Sequence, residues 1–147
     1  MKLTSMMSAA ALTVLLSAQC VAHAAEEGAG VLTVHVIGFT DVQGHAVAKL
    51  FRPGDNVLEK GRWEVSATVK DGQAVMAFPP LPAGPYALVV FHDRNDNGRI
   101  DHGWTGPSEL LGFSGRFKLS LWSGRPTFDE LKFEFDGVSR TMDVTVK

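Results

Sequence analysis

The chain has 147 residues, of which 45% are hydrophobic and 20% are charged, and its formal net charge at pH 7 is −2. This composition is typical of a globular domain and excludes a wholly disordered chain. Because the charge balance provides no basic field, we expect no nucleic-acid partner.

The N-terminal segment, residues 1–24, has the pattern of a secretory signal peptide. A short apolar run from Ala9 to Leu16 is followed by Ala22-His23-Ala24, a small-x-small cleavage site. An uncleaved anchor is the alternative, but the run is shorter than a membrane-spanning helix requires. Cys20, the only cysteine, invites a lipoprotein interpretation, but Gln19 stands where that signal needs a small residue. We therefore expect residues 25–147 to form one exported domain without a cysteine or a transmembrane helix.

The remainder of the chain has the pattern of an all-β domain, with alternating apolar residues in short runs and Gly and Pro between those runs. All 15 Gly and all 7 Pro lie after residue 24, between apolar runs. The candidate strands are Val31–Ile37, Val47–Phe51, Trp63–Lys70, Ala74–Phe78, Tyr86–His92, Phe117–Leu121, Leu131–Phe135 and Thr141–Lys147. Tyr86–His92 is apolar on both faces, which predicts a central strand. Short helical turns fit Ser108–Leu111 and Thr127–Leu131. Seven or eight strands favour an antiparallel β-sandwich, with a small barrel as the alternative.

Oxygen-bearing side chains alternate in the loop that follows the central strand. They fall at Asp93, Asn95, Asn97 and Asp101, and Gly98 permits the turn that points the Arg99 carbonyl inward. Hard cations such as Ca²⁺ take 6–8 oxygen ligands of this kind. The pattern predicts a weak Ca²⁺ site made of these four side chains and that carbonyl, and no other cofactor.

Two features weaken the analogy with a calcium-binding EF-hand loop. The twelfth position is Trp104, where that motif needs a bidentate Glu, and the preceding segment is a strand rather than a helix. We therefore expect a dissociation constant of about 10⁻⁴ to 10⁻³ M, as in extracellular modules. The alternative is a plain polar turn, in which Asp and Asn bond their own backbone.

The histidines raise a second functional class. His92 and His102 flank the loop and, with an aspartate, could form the centre of a metal-dependent periplasmic enzyme. Their spacing matches no zinc motif, and the predicted mature chain, residues 25–147, has no cysteine for thiol catalysis. The sequence therefore favours a binding or structural module over an enzyme.

Large apolar side chains also occur in the Gly- and Pro-rich segment after the loop. Trp104 and Phe113 either cap the core or form a surface for an unknown protein or envelope ligand. Both possibilities remain open at the level of the sequence.

Several segments resemble a secreted bacterial family known as domain of unknown function 2141. They are Leu81–Tyr86, Val89–Asp93, Asn95–Asp101, Gly112–Ser114 and Pro126–Phe133. The resemblance extends over nearly the whole predicted mature chain. It implies an Ig-like or transthyretin-like β-sandwich exported to the periplasm or beyond, and it implies no enzymatic activity.

Overall fold

The computed structural model describes residues 28–104, 106–115, 117 and 124–147, which form ten strands and one short helix. The elements are β1 (Leu32–Ile37), β2 (His45–Phe51), β3 (Trp63–Thr68), β4 (Gln73–Ala77), β5 (Gly84–Asp93), β6 (His102–Gly103), β7 (Gly106–Pro107), β8 (Leu111–Phe113), α1 (Phe128–Leu131), β9 (Lys132–Phe135) and β10 (Arg140–Thr145). The predicted signal peptide lies outside the described residues, as do residues 118–121 of the expected strand Phe117–Leu121.

The smaller sheet has three strands in the order β10-β1-β4. β1 is antiparallel to β4 and parallel to β10, so one pairing departs from a purely antiparallel sandwich. Leu32, Val34 and Val36 are wholly buried, whereas the alternate residues of β1 face outward and are partly exposed. This is the period of two that a sheet with one solvated face requires.

The larger sheet has the order β3-β2-β5, and β8 and β9 share the far edge of β5. β9 pairs with Gly84–Ala87, and β8 pairs with Val89–Phe91. Leu88 falls in the gap between them, where Ser114 bonds its backbone: the Leu88 N–H donates to Ser114 Oγ at 2.8 Å, and the Ser114 N–H donates to the Leu88 carbonyl at 3.0 Å. Ser114 thereby completes the hydrogen bonding of a wholly buried strand residue.

The inner faces of the two sheets enclose the main core, which confirms the predicted all-β sandwich. Tyr86 is its largest wholly buried side chain, and the Tyr86 hydroxyl donates to the Pro82 carbonyl at 2.9 Å. The proline-rich segment before β5 therefore provides the acceptor that the buried hydroxyl needs.

A second apolar layer covers the outer face of the larger sheet. Loops, β8 and α1 pack there against β2 and β5. Its buried residues are Val47, Phe51, Val57, Ala87, Val89, Phe91, Leu111 and Leu131. β5 is therefore buried on both faces, as its uninterrupted apolar sequence predicted.

One of the two predicted helical turns is present. Phe128–Leu131 forms α1, and the Thr127 N–H donates to Glu130 Oε2 at 2.8 Å at its start. The turn expected at Ser108–Leu111 is wrong, because Leu111 begins β8 and pairs with Phe91. None of the helices in the described residues is long and apolar enough to span a membrane.

Candidate functional site

Asp93 is the last residue of β5 and anchors the predicted cation loop. Its side chain is 3% exposed; Oδ1 accepts the Asn97 N–H at 3.0 Å, and Oδ2 accepts the Gly98 N–H at 2.7 Å. Gly98 has φ of 71°, in the left-handed region that a glycine adopts without a steric cost. The loop therefore folds back over the end of its own strand.

The Asn side chains tie the two ends of the loop together. Asn95 Nδ2 donates to Asp101 Oδ2 at 2.7 Å, and Asn97 Nδ2 donates to Asp101 Oδ1 at 3.0 Å. The amide oxygens accept backbone hydrogen bonds. The Asn97 N–H donates to Asn95 Oδ1 at 3.2 Å, and the Arg99 N–H donates to Asn97 Oδ1 at 2.8 Å. In this conformation the amide hydrogens occupy the position in front of Asp101 that a cation would need.

Glu109, which the sequence analysis missed, joins this cluster from outside the loop. Its side chain is 8% exposed, Oε1 accepts the Arg94 N–H at 3.3 Å, and Oε2 accepts the Asp101 N–H at 3.3 Å. Burial raises the pKa of Glu109, and the nearby charges of Asp101 and Asp93 raise it further. Glu109 therefore lies close enough to both aspartates for their charges to act on its carboxyl group.

The available sequence signal for Glu109 was weak. It is the only acidic residue in the segment 102–115, which follows a loop that lacks the terminal Glu of an EF-hand. Its position beside Asp101 depends on the hairpin β6–β7, which returns the chain so that the Ser108 N–H donates to the Asp101 carbonyl at 2.9 Å.

In this structure the predicted ligand side chains do not surround a common centre. Within residues 28–104, 106–115, 117 and 124–147, no group of three or more His, Cys, Asp or Glu side chains is arranged to hold a metal ion. A cation would have to displace the amide hydrogens of Asn95 and Asn97 from Asp101. Binding therefore requires side-chain rotation within the loop.

Two contacts hold the loop against β2 from its outer side. His45 Nδ1 lies 2.5 Å from Asp96 Oδ1, and Lys49 Nζ donates to the Gly98 carbonyl at 3.2 Å. Lys49 also lies 3.5 Å from a carboxylate oxygen of Glu64. These contacts attach the loop to the outer side of β2.

Arg99, the predicted carbonyl ligand, is exposed at the far end of the loop. Its N–H donates to Asn97 Oδ1, while its carbonyl accepts no hydrogen bond from the part of the chain that the structure describes.

The two flanking histidines have different surroundings. His92 is wholly buried: Nε2 lies 2.7 Å from the Gln43 carbonyl, and the ring stands edge-to-face on Phe39 of the inner core. The adjacent Asp93 points to the other face of the sheet, and His102 is exposed in β6. The enzyme alternative named His92, His102 and an aspartate: the fold puts Asp93 on the opposite face from His92, and a different aspartate, Asp41, lies 3.8 Å from His92 Nε2.

The two predicted surface aromatics also differ. Trp104 lies between β6 and β7 and is fully exposed, with a relative exposure of 107%. Phe113 in β8 is half-buried and packs edge-to-face on Phe117 with ring centroids 5.1 Å apart. Trp104 is therefore free for a contact, and Phe113 contributes to the outer apolar layer.

Comparison with known proteins gives one match. Residues 34–143 match the model of a family described as "Uncharacterized protein conserved in bacteria (DUF2141)". The matched region contains the 93–101 loop and Glu109, and it confirms the resemblance predicted from the sequence motifs. No curated protein and no solved structure matches the chain.

Proposed function

The chain belongs to the bacterial family DUF2141, and since that family is described without an activity, we propose the function from the chain's own loop. The protein is an exported β-sandwich module that binds Ca²⁺ through residues 93–101. It is a binding or structural module rather than an enzyme, and Trp104 contacts a protein or envelope ligand.

The observation that carries this proposal is the grouping of Asp93, Asp101 and Glu109. Asp93 and Glu109 are each more than nine-tenths buried. Placing carboxylates together in a poorly solvated position is unfavourable unless a positive charge compensates them. Arg94, which follows Asp93 directly in the sequence, directs its guanidinium to Asp41 instead, at 3.2 Å. A divalent cation would relieve the repulsion.

The chemistry of the available donors favours a hard cation. The set comprises carboxylates, the amide oxygens of Asn95 and Asn97, and the carbonyl of Arg99. Oxygen-only sites of this kind suit Ca²⁺ rather than Zn²⁺ or Cu²⁺, which prefer nitrogen and sulfur ligands. Glu109 takes the role that the terminal Glu has in an EF-hand loop, although it comes from a later part of the chain.

Cation binding would also restrict the position of the exposed Trp104, through the backbone that connects it to Asp101. β6 begins at His102, directly after Asp101, and Trp104 follows β6. A cation that holds Asp101 therefore restricts the start of this hairpin and the position of its tip. An exposed Trp fixed in this way is the kind of residue that dominates a protein contact.

The test is a calcium titration of the domain without its predicted signal peptide, residues 25–147. Calcium at roughly 10 mM should stabilise the fold by about 1–3 kcal/mol, as mass action predicts for a site with a weak dissociation constant. Asp101→Asn and Glu109→Gln should each remove most of the increase in Tm. Calorimetric titration with Ca²⁺ measures the affinity directly.

Asp96→Asn is the matched control, because Asp96 lies in the same loop but pairs with His45 rather than with the proposed ligands. This variant should keep the calcium response. The proposal is wrong if the wild-type domain shows no calcium-dependent change in Tm, or if Asp96→Asn removes the response as fully as Asp101→Asn does.

A further inference from the structure

A groove lies on the outer face of the larger sheet, beside the 93–101 loop. Its volume is about 890 Å³, which is in the range of sites that hold one small molecule. The apolar side chains that line it include Val57, Leu58, Val89, Ile100, Leu111 and Phe113. Leu58 is 41% exposed, so apolar surface reaches the mouth of the groove.

The rim of the groove is cationic. Lys60, Arg99 and Arg125 line it, are exposed, and form no ion pair with any residue in the described ranges. Two carboxylates also line the groove: Glu64 lies 3.5 Å from Lys49, and Glu59, which accepts a hydrogen bond from the neutral amide of Asn56, keeps its negative charge. The lining thus carries four basic side chains, Lys49, Lys60, Arg99 and Arg125, against two acidic ones, a formal excess of positive charge in a chain whose formal net charge is −2.

We propose that this groove binds a long-chain carboxylate, an amphiphile with one apolar chain and one anionic head. The apolar lining would take the chain out of water, which is the main source of affinity for such a ligand. The exposed guanidinium and ammonium groups would bind the head, because charge-assisted hydrogen bonds to a carboxylate are the strongest that these side chains make. A cationic or uncharged amphiphile would gain the first contribution without the second.

The groove shares a wall with the calcium loop but does not depend on calcium. Gly98, Arg99 and Ile100 form that wall, and Lys49 holds the Gly98 carbonyl in place. The proposal therefore stands if the loop binds no cation. Ligand binding is measured in the presence of a chelator, which also prevents precipitation of calcium carboxylates.

The experiment uses residues 25–147 and three probes at concentrations below micelle formation. Dodecanoate has the chain and the charge, dodecyltrimethylammonium has the chain with the opposite charge, and hexanoate has the charge with a shorter chain. Calorimetry should give dodecanoate an affinity at least about tenfold higher than that of either other probe. Amide NMR shifts should locate dodecanoate at Val89, Leu111 and Phe113.

The double variant Lys60→Gln/Arg125→Gln removes two rim charges from exposed positions. It should weaken dodecanoate binding about fivefold or more and leave the affinity for dodecyltrimethylammonium unchanged or higher. Lys70→Gln is the matched control, an exposed lysine next to the turn between β3 and β4 that does not line the groove. It should bind dodecanoate as the wild type does.

Three results would overturn the proposal. The first is no dodecanoate binding below the micelle concentration. The second is equal affinity for the two twelve-carbon probes, which would indicate an unselective apolar surface. The third is a set of NMR shifts on the smaller sheet, around Val75, instead of around Val89.

Discussion

The central strands of the two sheets differ in what covers their outward faces. β1 buries Leu32, Val34 and Val36 inward, and its outward residues are partly exposed. β5 buries both faces: Val89 on the outward side is 1% exposed, and Phe91 on that side is wholly buried. The second apolar layer lies over β5 and the neighbouring β2, and the candidate cation loop and the groove lie on the same side of this sheet. The two sheets thus form the scaffold, and both the candidate cation loop and the groove lie on the outer face of the larger sheet.

Replacing an outward side chain of β5 is the strongest test of this difference. Phe91→Ala removes a wholly buried ring that packs with Val47 and Leu111. Lys49 Nζ lies over this ring, 5.2 Å from its centroid. We expect a loss of about 3–5 kcal/mol in the free energy of unfolding, measured in urea, because the change leaves a cavity.

The matched change on the other sheet is Val75→Ala. Val75 faces outward from β4 and is 60% exposed, so the loss should stay within about 0.5 kcal/mol. Equal losses for Phe91→Ala and Val75→Ala would show that the layer over β5 is not packed as a core.

The join between β8 and β9 is the next test, because it attaches the outer layer to β5. Ser114 is 3% exposed. Its hydroxyl accepts a hydrogen bond from the Leu88 N–H and donates one to the Leu131 carbonyl at 2.6 Å. Ser114→Ala leaves both backbone groups without this partner, and a loss of about 1–3 kcal/mol in thermal or urea unfolding should follow.

Ser139→Ala is the control for this join. The Ser139 hydroxyl also accepts a backbone N–H, from Val31 at 2.9 Å, but in an exposed position where water can replace it. Its loss should be clearly smaller than that of Ser114→Ala. The opposite order would contradict the role assigned to the buried serine.

The contrast between the two faces also shows what a sequence can predict. β1 and β5 were recognisable because alternation and uninterrupted apolarity are local patterns, and each reports burial directly. The alternation of Asp93, Asn95, Asn97 and Asp101 is also a local pattern, but the structure brings only Asn95 and Asn97 to Asp101, while Asp93 accepts backbone N–H groups. The local pattern did not show that the Asn amide hydrogens would point at Asp101.

The non-local parts of the site could not be predicted in this way. Glu109 reaches Asp101 only because the hairpin β6–β7 returns the chain, and nothing in the spacing of the two residues encodes that return. Lys60 and Arg125 are 65 positions apart, and they line one groove because the β2–β3 loop and the segment before α1 both lie over the larger sheet. The strand that begins at Leu111 was missed, and a helical turn was predicted at Ser108–Leu111, because its pairing with β5 depends on residues far away in the sequence.

The outward face of the smaller sheet gives the smallest expected effect, a dependence of stability on pH. His35 lies at the centre of this face: Nδ1 is 3.0 Å from Asp143 Oδ1, and Nε2 is 2.9 Å from Gln73 Oε1. Both partners are acceptors, whereas a neutral imidazole has only one N–H. The hydrogen bond to Gln73, followed by that to Asp143, raises the pKa of His35 above 6.5.

A raised pKa in the folded state means that the protonated ring stabilises the fold. This contribution is complete below the unfolded pKa, near 6.5, and is lost as the pH rises through the higher pKa of the folded protein. NMR titration of the ring should therefore give a pKa above 6.5, and Gln73→Ala and Asp143→Asn should each lower it. The difference in Tm between the wild type and His35→Gln should shrink as the pH is raised. A His35 pKa at or below 6.5 would show that the ring does not bridge β4 and β10 as a cation, and the exposed face of the smaller sheet would then lack any pH-dependent contact of this kind.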